Sequence, residues 1–399
     1  MDILYDLTPA QPYATGTKFH GGAEYCISVF HALIKYINEH HCNINIETVY
    51  NKHANLESSI IDFCKEYNVG MFHANTLGEL QSIINNNDYR LFFSALPSNW
   101  WYTGLILQNT KLIYTIHGLR KVEMPTDKYE LKYLSGLKKK LKWCFKQINP
   151  ENYIEKEKKH IQKLMKLDNS DFITVSNHTK YQLINTFPSL SEKDIKVFYS
   201  PPKNLSRRND SLNINILQSL NLSKQKYLLL ISGNRWVKNN YRAIKAIDQL
   251  LSSRPYLDFK VVLTGVDKEN IYNVSNKKRF VFVNYVHSTE LDILYKNSFI
   301  FLYPSLNEGF GYPPVEAMKY GVPCVVSATS SIPEVCGDGA LYFNPYLINE
   351  MINKVLMLYN NSSIYKLMQS KAYKRYKEVT DQQNKMLINM VEYLINNAK

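Results

Sequence analysis

Thirteen short apolar runs, rich in β-branched and aromatic residues and mostly separated by helical patterns, restrict the fold more than any other feature of this chain. Seven stand in the first half: "DILYDL", "NINIETVY", "GMFHA", "RLFFSA", "KLIYTI", "DFITVS" and "IKVFYS". Six follow in the second: "YLLLIS", "FKVVLT", "FVFVNY", "SFIFLYP", "PCVVSA" and "ALYFNP". Continuous apolar strands that alternate with helices form parallel sheets covered on both faces. Between the two sets lies "SPPKNLSRRNDSLNINILQSLNLSKQ", polar and proline-marked, which reads as an inter-domain connection. At 399 residues the chain exceeds one ordinary core and suits two. The expected architecture is α/β, two doubly wound Rossmann-like domains facing a cleft. Residues 1–200 form the N-terminal domain, 201–224 the linker and 225–375 the C-terminal domain, and a helix over 376–399 crosses back to the first.

In doubly wound sheets ligands bind beyond the carboxyl ends of the strands, and the candidate residues fall there. "GGAE" puts Gly21 and Gly22 at the start of an amphipathic helix, where free amides and the helix dipole suit an anion or a tight turn alike. His117 directly follows the strand "KLIYTI". "SGNRWVKNN" offers Arg235 and Lys238 after "YLLLIS", two cations that are either solvated surface or the pair that an anionic ligand needs. "PSLNEGFGYPPVEAMKYGVPCVVS" places Glu308 in the loop after "SFIFLYP" and Glu316 in the first turn of a helix that Pro313 and Pro314 open and Gly321 closes. Between the carboxylates, Gly309, Phe310 and Gly311 expose backbone amides. Such a loop binds phosphate with its donors and sugar hydroxyls with its acceptors. A glutamate that merely complements the helix dipole explains Glu316 but neither Glu308 nor the glycines.

Taken together these segments resemble glycosyltransferase family 4, of the GT-B fold. The signature is Glu, seven residues, Glu, here "EGFGYPPVE"; "LYPS" precedes it, and "EAMKYGVPCVVS" and "SSIPEVCGDGALYFNP" follow. Upstream, "GGAE", "TIHGL", "TVSNHTK" and "VHSTELDILYKNS" stand in the family's order. The resemblance implies that Glu316 binds the ribose and Glu308 the transferred sugar. It gives the amides of Gly309, Phe310 and Gly311 to the sugar and diphosphate, and Lys238 to the leaving diphosphate. His117 falls near sugar and acceptor, Gly21 and Gly22 near the phosphates, and the base on backbone around Tyr285 and Val286. The family's usual arginine lies about six positions before its lysine, where this chain has Ser232; Arg235 is the candidate substitute.

The activity so implied is that of a retaining, Leloir-type hexosyltransferase of surface polysaccharide synthesis. Its donor is a GDP-, UDP- or dTDP-linked sugar and its acceptor a glycan or lipid-linked glycan. No cofactor and no metal are expected, because no Asp-x-Asp occurs. Two rivals are a nucleotide-sugar epimerase of the same fold and a basic module that binds an anionic polymer; a nucleic-acid partner is not expected, for want of any recognition motif. The cysteines are scattered, and "HHC" at His40 to Cys42 lacks a second ligand pair. No apolar run reaches the ~18 residues of a membrane span, and "MDILYDLTP" does not read as a signal peptide, so a cytoplasmic enzyme is expected.

The net charge is +13, and the stretch Gly118 to Lys166 holds 14 Lys/Arg against 6 Asp/Glu. Within it, residues 131–148 place Leu134, Leu137, Leu141, Cys144, Phe145 and Ile148 on one helical face, with Lys138, Lys139, Lys142 and Lys146 over much of the rest. Either the apolar face is core and the lysines are solvated, or the helix docks on anionic lipid or an acidic acceptor at the inner face of a membrane.

Overall fold

The computed structural model describes residues 2–12, 21–97, 104–203, 215–267 and 269–399. All thirteen apolar runs are strands. β1 (Ile3–Asp6), β2 (Ile46–Tyr50), β3 (Gly70–His73), β4 (Leu91–Ser94), β5 (Lys111–Ile116), β6 (Ser170–Thr174) and β7 (Lys196–Val197) form one sheet. Its order is β3-β2-β1-β4-β5-β6-β7. β8 (Tyr227–Leu230), β9 (Lys260–Thr264), β10 (Phe280–Val283), β11 (Ile300–Tyr303), β12 (Cys324–Ser327) and β13 (Ala340–Phe343) form the other, in the order β10-β9-β8-β11-β12-β13. Every pairing is parallel. The strand order reverses between β1 and β4 in the first sheet and between β8 and β11 in the second, the switch points where ligands of such sheets bind.

Alternation within the strands explains the double covering. Leu228 and Leu230 of β8, with Ile300 and Leu302 of β11, pack on one face against Ile244, Ile247 and Val355. Tyr227, Leu229, Phe301 and Tyr303 turn to the other, against Leu294, Met318 and Ile332. Each such side chain, fully buried, contributes roughly 1.5–3 kcal/mol. The last strand residue on that second face is Tyr303, which carries a hydroxyl to the carboxyl edge of the sheet.

Contacts divide the chain into two compact units. Met1–Leu119, Glu155–Leu205 and Asp381–Lys399 form the first, Arg120–Ile154 and Ser206–Thr380 the second. The helix Ser362–Asn397 is continuous across the division at Thr380. An expected boundary at residue 200 put 120–154 in the first domain, and here the structure differs. Those residues pack within the second unit because buried polar contacts hold them there. Arg242 donates to both carboxylate oxygens of Asp127, at 3.1 and 2.6 Å, and its guanidinium lies 4.5 Å from the Tyr129 ring and 5.1 Å from that of Tyr346. Tyr133 and Tyr272 share a hydroxyl contact of 3.1 Å. The single helix expected over 131–148 is also interrupted: Gly136, at φ +85°, separates Glu130–Tyr133 from Leu137–Ile148. No helix among the described residues is long and apolar enough to cross a membrane.

Candidate active site

The carboxyl ends of β8 and β11 carry the densest polar cluster among the predicted residues. After β8 the chain runs through Arg235 into a short turn of 3-10 helix, Trp236–Lys238, which delivers Lys238 to the sheet edge. Asn239, at φ +58°, then starts the helix Asn240–Ser253. After β11 the loop carries Ser305 and Glu308. Lys238 Nζ donates to Glu308 Oε1 and to the Tyr303 hydroxyl, both at 2.6 Å. Tyr303 donates in turn to the same Oε1 at 2.7 Å, and so does the Ser305 hydroxyl. Three donors therefore converge on one carboxylate oxygen. The pair is nearly dry: side-chain exposure is 5% for Lys238 and 15% for Glu308.

Desolvation and nearby charge act on these groups together. Burial, with the guanidiniums of Arg235 and Arg120, outweighs Glu308 and pulls Lys238 down from 10.5 to about 8. Burial alone raises Glu308, but Lys238, the Ser305 hydroxyl and Arg235 hold its carboxyl below the usual value. Arg120 is itself lowered by desolvation and by Arg235, although much of its side chain still reaches solvent. Three cations thus surround one carboxylate, and the surplus of positive charge is what an anionic ligand neutralises. Arg235, three residues before Lys238, acts electrostatically on Lys238, Tyr303 and Glu308.

The glycine-rich loop between the two glutamates is fixed by serines. The Glu308 amide donates to Ser330 Oγ at 2.8 Å, and the Ser331 hydroxyl donates to the carbonyls of Glu308 (3.0 Å) and Phe310 (2.9 Å). Phe310 is buried, with its ring edge-on to Tyr312 at 5.5 Å. Gly311 has φ +101° at the N-cap of the helix Tyr312–Met318, a conformation strained for any other residue. Prolines occupy the first turn, as expected, and Gly321 at φ +64° follows the helix end. One expectation needs correction. Glu316 is the fifth residue of that helix, and no acidic residue lies in the first turn. Its carboxylate instead bears on the buried Tyr295 phenol, which burial and then Glu316 raise. Tyr303, raised chiefly by burial, is raised further by Glu308, through its charge and its hydrogen bond, and least by Glu316.

Tyr285 and Val286 follow β10. Tyr285 is exposed, Val286 is partly buried against the sheet, and the Gly265 amide donates to the Asn284 carbonyl at 3.1 Å, which ties this loop to the one after β9. His117, Gly21 and Gly22 belong to the first unit. His117 Nε2 carries a proton to the Ala95 carbonyl at 2.8 Å, and its ring meets Tyr25 edge-on at 4.7 Å. Tyr25 lies one turn along the helix Gly21–Glu39, so the glycine pair and His117 share one edge of the first sheet. A Cβ built at Gly21 meets nothing within 4 Å. Among the described residues no group of three or more His, Cys, Asp or Glu is arranged for a metal, His40 to Cys42 included.

Tyr303, Ser305, Ser330, Ser331 and Arg120 were not singled out from the sequence. Ser305 lay inside "LYPS" and the serine pair inside "SSIPEVCGDGALYFNP", but a hydroxyl's role depends on what the fold brings to it. Arg120 stood three residues after His117 without a motif.

The fold and this cluster define a two-domain doubly wound protein of the GT-B kind. The glycosyltransferase from Rickettsia africae has the same fold, with a TM-score of 0.65 at 14% identity over 100% of this chain and 98% of that one. So does Anabaena HepE, solved with UDP and glucose, with a TM-score of 0.62 at 15% identity over 98% and 99%. Residues 214–375, the stretch that carries Lys238 and the paired glutamates, match the model of the glycosyl transferases group 1 family. The O-antigen chain mannosyltransferase B of Escherichia coli is 27% identical over 224 residues, 54% of this chain and 58% of that protein. The chain spans about half the length of the curated relatives it matches.

Proposed function

We propose that this protein is a retaining hexosyltransferase that moves a sugar from a nucleotide-diphosphate donor to a glycan or lipid-linked acceptor in surface polysaccharide synthesis. The observation that carries the reading is the buried Lys238–Glu308–Tyr303 cluster at the β8/β11 switch point, with Arg235 and Arg120 adding surplus positive charge. The mannosyltransferase relative supports a transferase over an epimerase or a polymer-binding module and favours a mannosyl-type donor.

In this reading the diphosphate lies against Lys238 and Arg235 and takes amide donors from Gly309 to Gly311. Glu308, whose Oε1 is held by protein donors, offers Oε2 to the sugar hydroxyls. Glu316 holds the ribose diol, and the base rests on backbone at Tyr285 and Val286. As the bond between the anomeric carbon and the diphosphate oxygen breaks, that oxygen gains negative charge. Preorganised cations aimed at developing charge are usually the largest catalytic contribution. The acceptor hydroxyl attacks from the face that the diphosphate leaves, an oxocarbenium-like sugar intervening, and its proton passes to the departing diphosphate. Lys238 supplies the charge that a divalent metal supplies elsewhere, so neither metal nor bound cofactor is needed. His117, whose imidazole Nε2 is committed to Ala95, presents its ring to sugar and acceptor, and Gly21 and Gly22 approach the phosphates. GDP, UDP and dTDP donors all suit this scheme. The test is a screen of nucleotide sugars for donor hydrolysis in the presence of a chelator. Hydrolysis of one donor, unchanged by the chelator, is expected; hydrolysis of none contradicts the reading, and dependence on added manganese contradicts its metal-free form.

A further inference from the structure

Thirteen large hydrophobic side chains are exposed among the described residues, and four of them lie on one helix of 12 residues, Leu137–Ile148. Leu137 is 74% exposed, Phe145 73% and Ile148 80%; Leu141 and Cys144 are exposed beside them. At about 100° per residue these five fall within one stripe of about 100°. Lys138 and Lys142 flank the stripe on one side and Lys140 on the other, and no acidic residue occurs in the helix.

An ordinary domain helix turns its apolar face inward. This one is inside out, because its polar side is pinned to the second unit. Trp143 Nε1 donates to the Asp127 carbonyl at 3.2 Å, and Gln147 Nε2 to the Thr126 hydroxyl at 2.6 Å. Lys146, expected on the solvated surface, is instead paired with Glu130 at 2.7 Å, with 13% of its side chain exposed. The core alternative for the apolar face is thereby overturned. Lys138, Lys139, Lys140 and Lys142 remain in solvent around an uncovered apolar stripe.

We propose that this helix docks the protein on an anionic lipid surface. The occupant is chosen by charge complementarity. A stripe bordered by unpaired lysines repels a second copy of itself and attracts a surface that is negative outside and apolar just beneath. Each lysine near such a surface strengthens attachment about fivefold, so four amount to several hundredfold. The leucines, Phe145 and Ile148 enter the interface below the headgroups. The inference rests on this surface alone and stands whether or not the site in the second unit transfers a sugar.

The test is co-sedimentation with phosphatidylcholine vesicles, with and without phosphatidylglycerol, at low and high salt. Three proteins are compared: wild type, Lys138→Gln/Lys139→Gln/Lys140→Gln/Lys142→Gln, and Leu137→Ser/Phe145→Ser/Ile148→Ser. All substituted positions are exposed, and unchanged melting temperatures confirm that the variants fold. Wild type is expected to bind the anionic vesicles at least a hundredfold more tightly than the neutral ones and to lose that preference at high salt. The glutamine variant loses the preference at low salt as well, and the serine variant loses attachment to both. Equal binding of wild type and both variants to anionic vesicles overturns the proposal, as does absence of wild-type binding. A wild-type dimer in sedimentation that the serine variant dissolves also overturns it, since a second copy then covers the stripe.

Discussion

Asp6 and Glu308 are both buried carboxylates at the carboxyl edge of a parallel sheet, one in each unit, and their surroundings push them in opposite directions. Asp6 ends β1 and accepts from neutral donors: the Thr8 amide at 2.9 Å, the Thr8 hydroxyl at 2.6 Å and the Ser94 hydroxyl at 2.7 Å. Burial wins there, and its carboxyl rises from 3.8 to about 6. Glu308 is somewhat less buried and faces Lys238 and Arg235, and its carboxyl falls below the ordinary value. The same strand order has therefore been given an edge carboxylate with only neutral partners in one unit and a cationic edge in the other. Hydrogen bonds from neutral donors complete the first edge. The second carries charge that its own carboxylate does not balance, and in the proposed function a diphosphate supplies the difference.

Removing each carboxylate separates the two edges most widely. Glu308→Ala leaves Lys238 buried without its partner and is expected to lower stability by about 3–5 kcal/mol. Asp6→Asn is expected to be near neutral or stabilising at pH 7, measured by chemical denaturation. The signs with pH also oppose. Asp6, raised when folded, contributes stability below pH 3.8 that is lost as pH rises through 6, at most about 3 kcal/mol. Glu308, lowered when folded, contributes stability above its ordinary 4.5 that is lost as pH falls. Equal losses from the two substitutions at pH 7 break the comparison.

Turnover sharpens it next. Lys238→Ala is expected to cost about 3 kcal/mol in the barrier, over a hundredfold in kcat, by analogy with a lost oxyanion donor. His117→Ala is expected to lower transfer while leaving nucleoside-diphosphate affinity within about twofold, because the proposed role of His117 is toward the sugar and acceptor and not toward the nucleotide. Glu316→Ala removes charged acceptors from the ribose and is expected to weaken that affinity by tenfold or more, about 1.5–3 kcal/mol, in isothermal titration. An unchanged affinity rejects the ribose assignment.

The smallest effect is with pH. Lys238 titrates near 8 in the free protein, and a bound diphosphate favours its charged form. Above pH 8, affinity is expected to fall by up to about tenfold per pH unit, with proton uptake on binding seen as a buffer-dependent heat. Flat affinity from pH 7 to 10 places the titrating cation elsewhere.

The strands were legible because period-2 alternation and apolar continuity are local: every run from "DILYDL" to "ALYFNP" is a strand. Lys238, Glu308 and the glycine loop were legible because post-strand loops at a switch point lie in sequence next to strands. The contacts of Tyr303 and Ser331 were not, since a hydroxyl gives no periodic signal and its partners come from the fold. Residues 120–154 were assigned by sequence neighbourhood, whereas Asp127 finds Arg242 more than a hundred residues away. The helix Leu137–Ile148 has an amphipathic pattern, but a pattern alone does not say which side is pinned, and Trp143 and Lys146 decide that.

The central claim is that the cationic edge of the second sheet exists to hold a diphosphate. The direct measurement is the affinity series of one nucleoside, its monophosphate and its diphosphate, for wild type and Lys238→Ala, by isothermal titration at pH 7. Wild type is expected to tighten at least a hundredfold along the series, and Lys238→Ala to lose most of the gain at the diphosphate while binding the nucleoside unchanged. The same steep series in Lys238→Ala, or no gain from phosphates in wild type, contradicts the account.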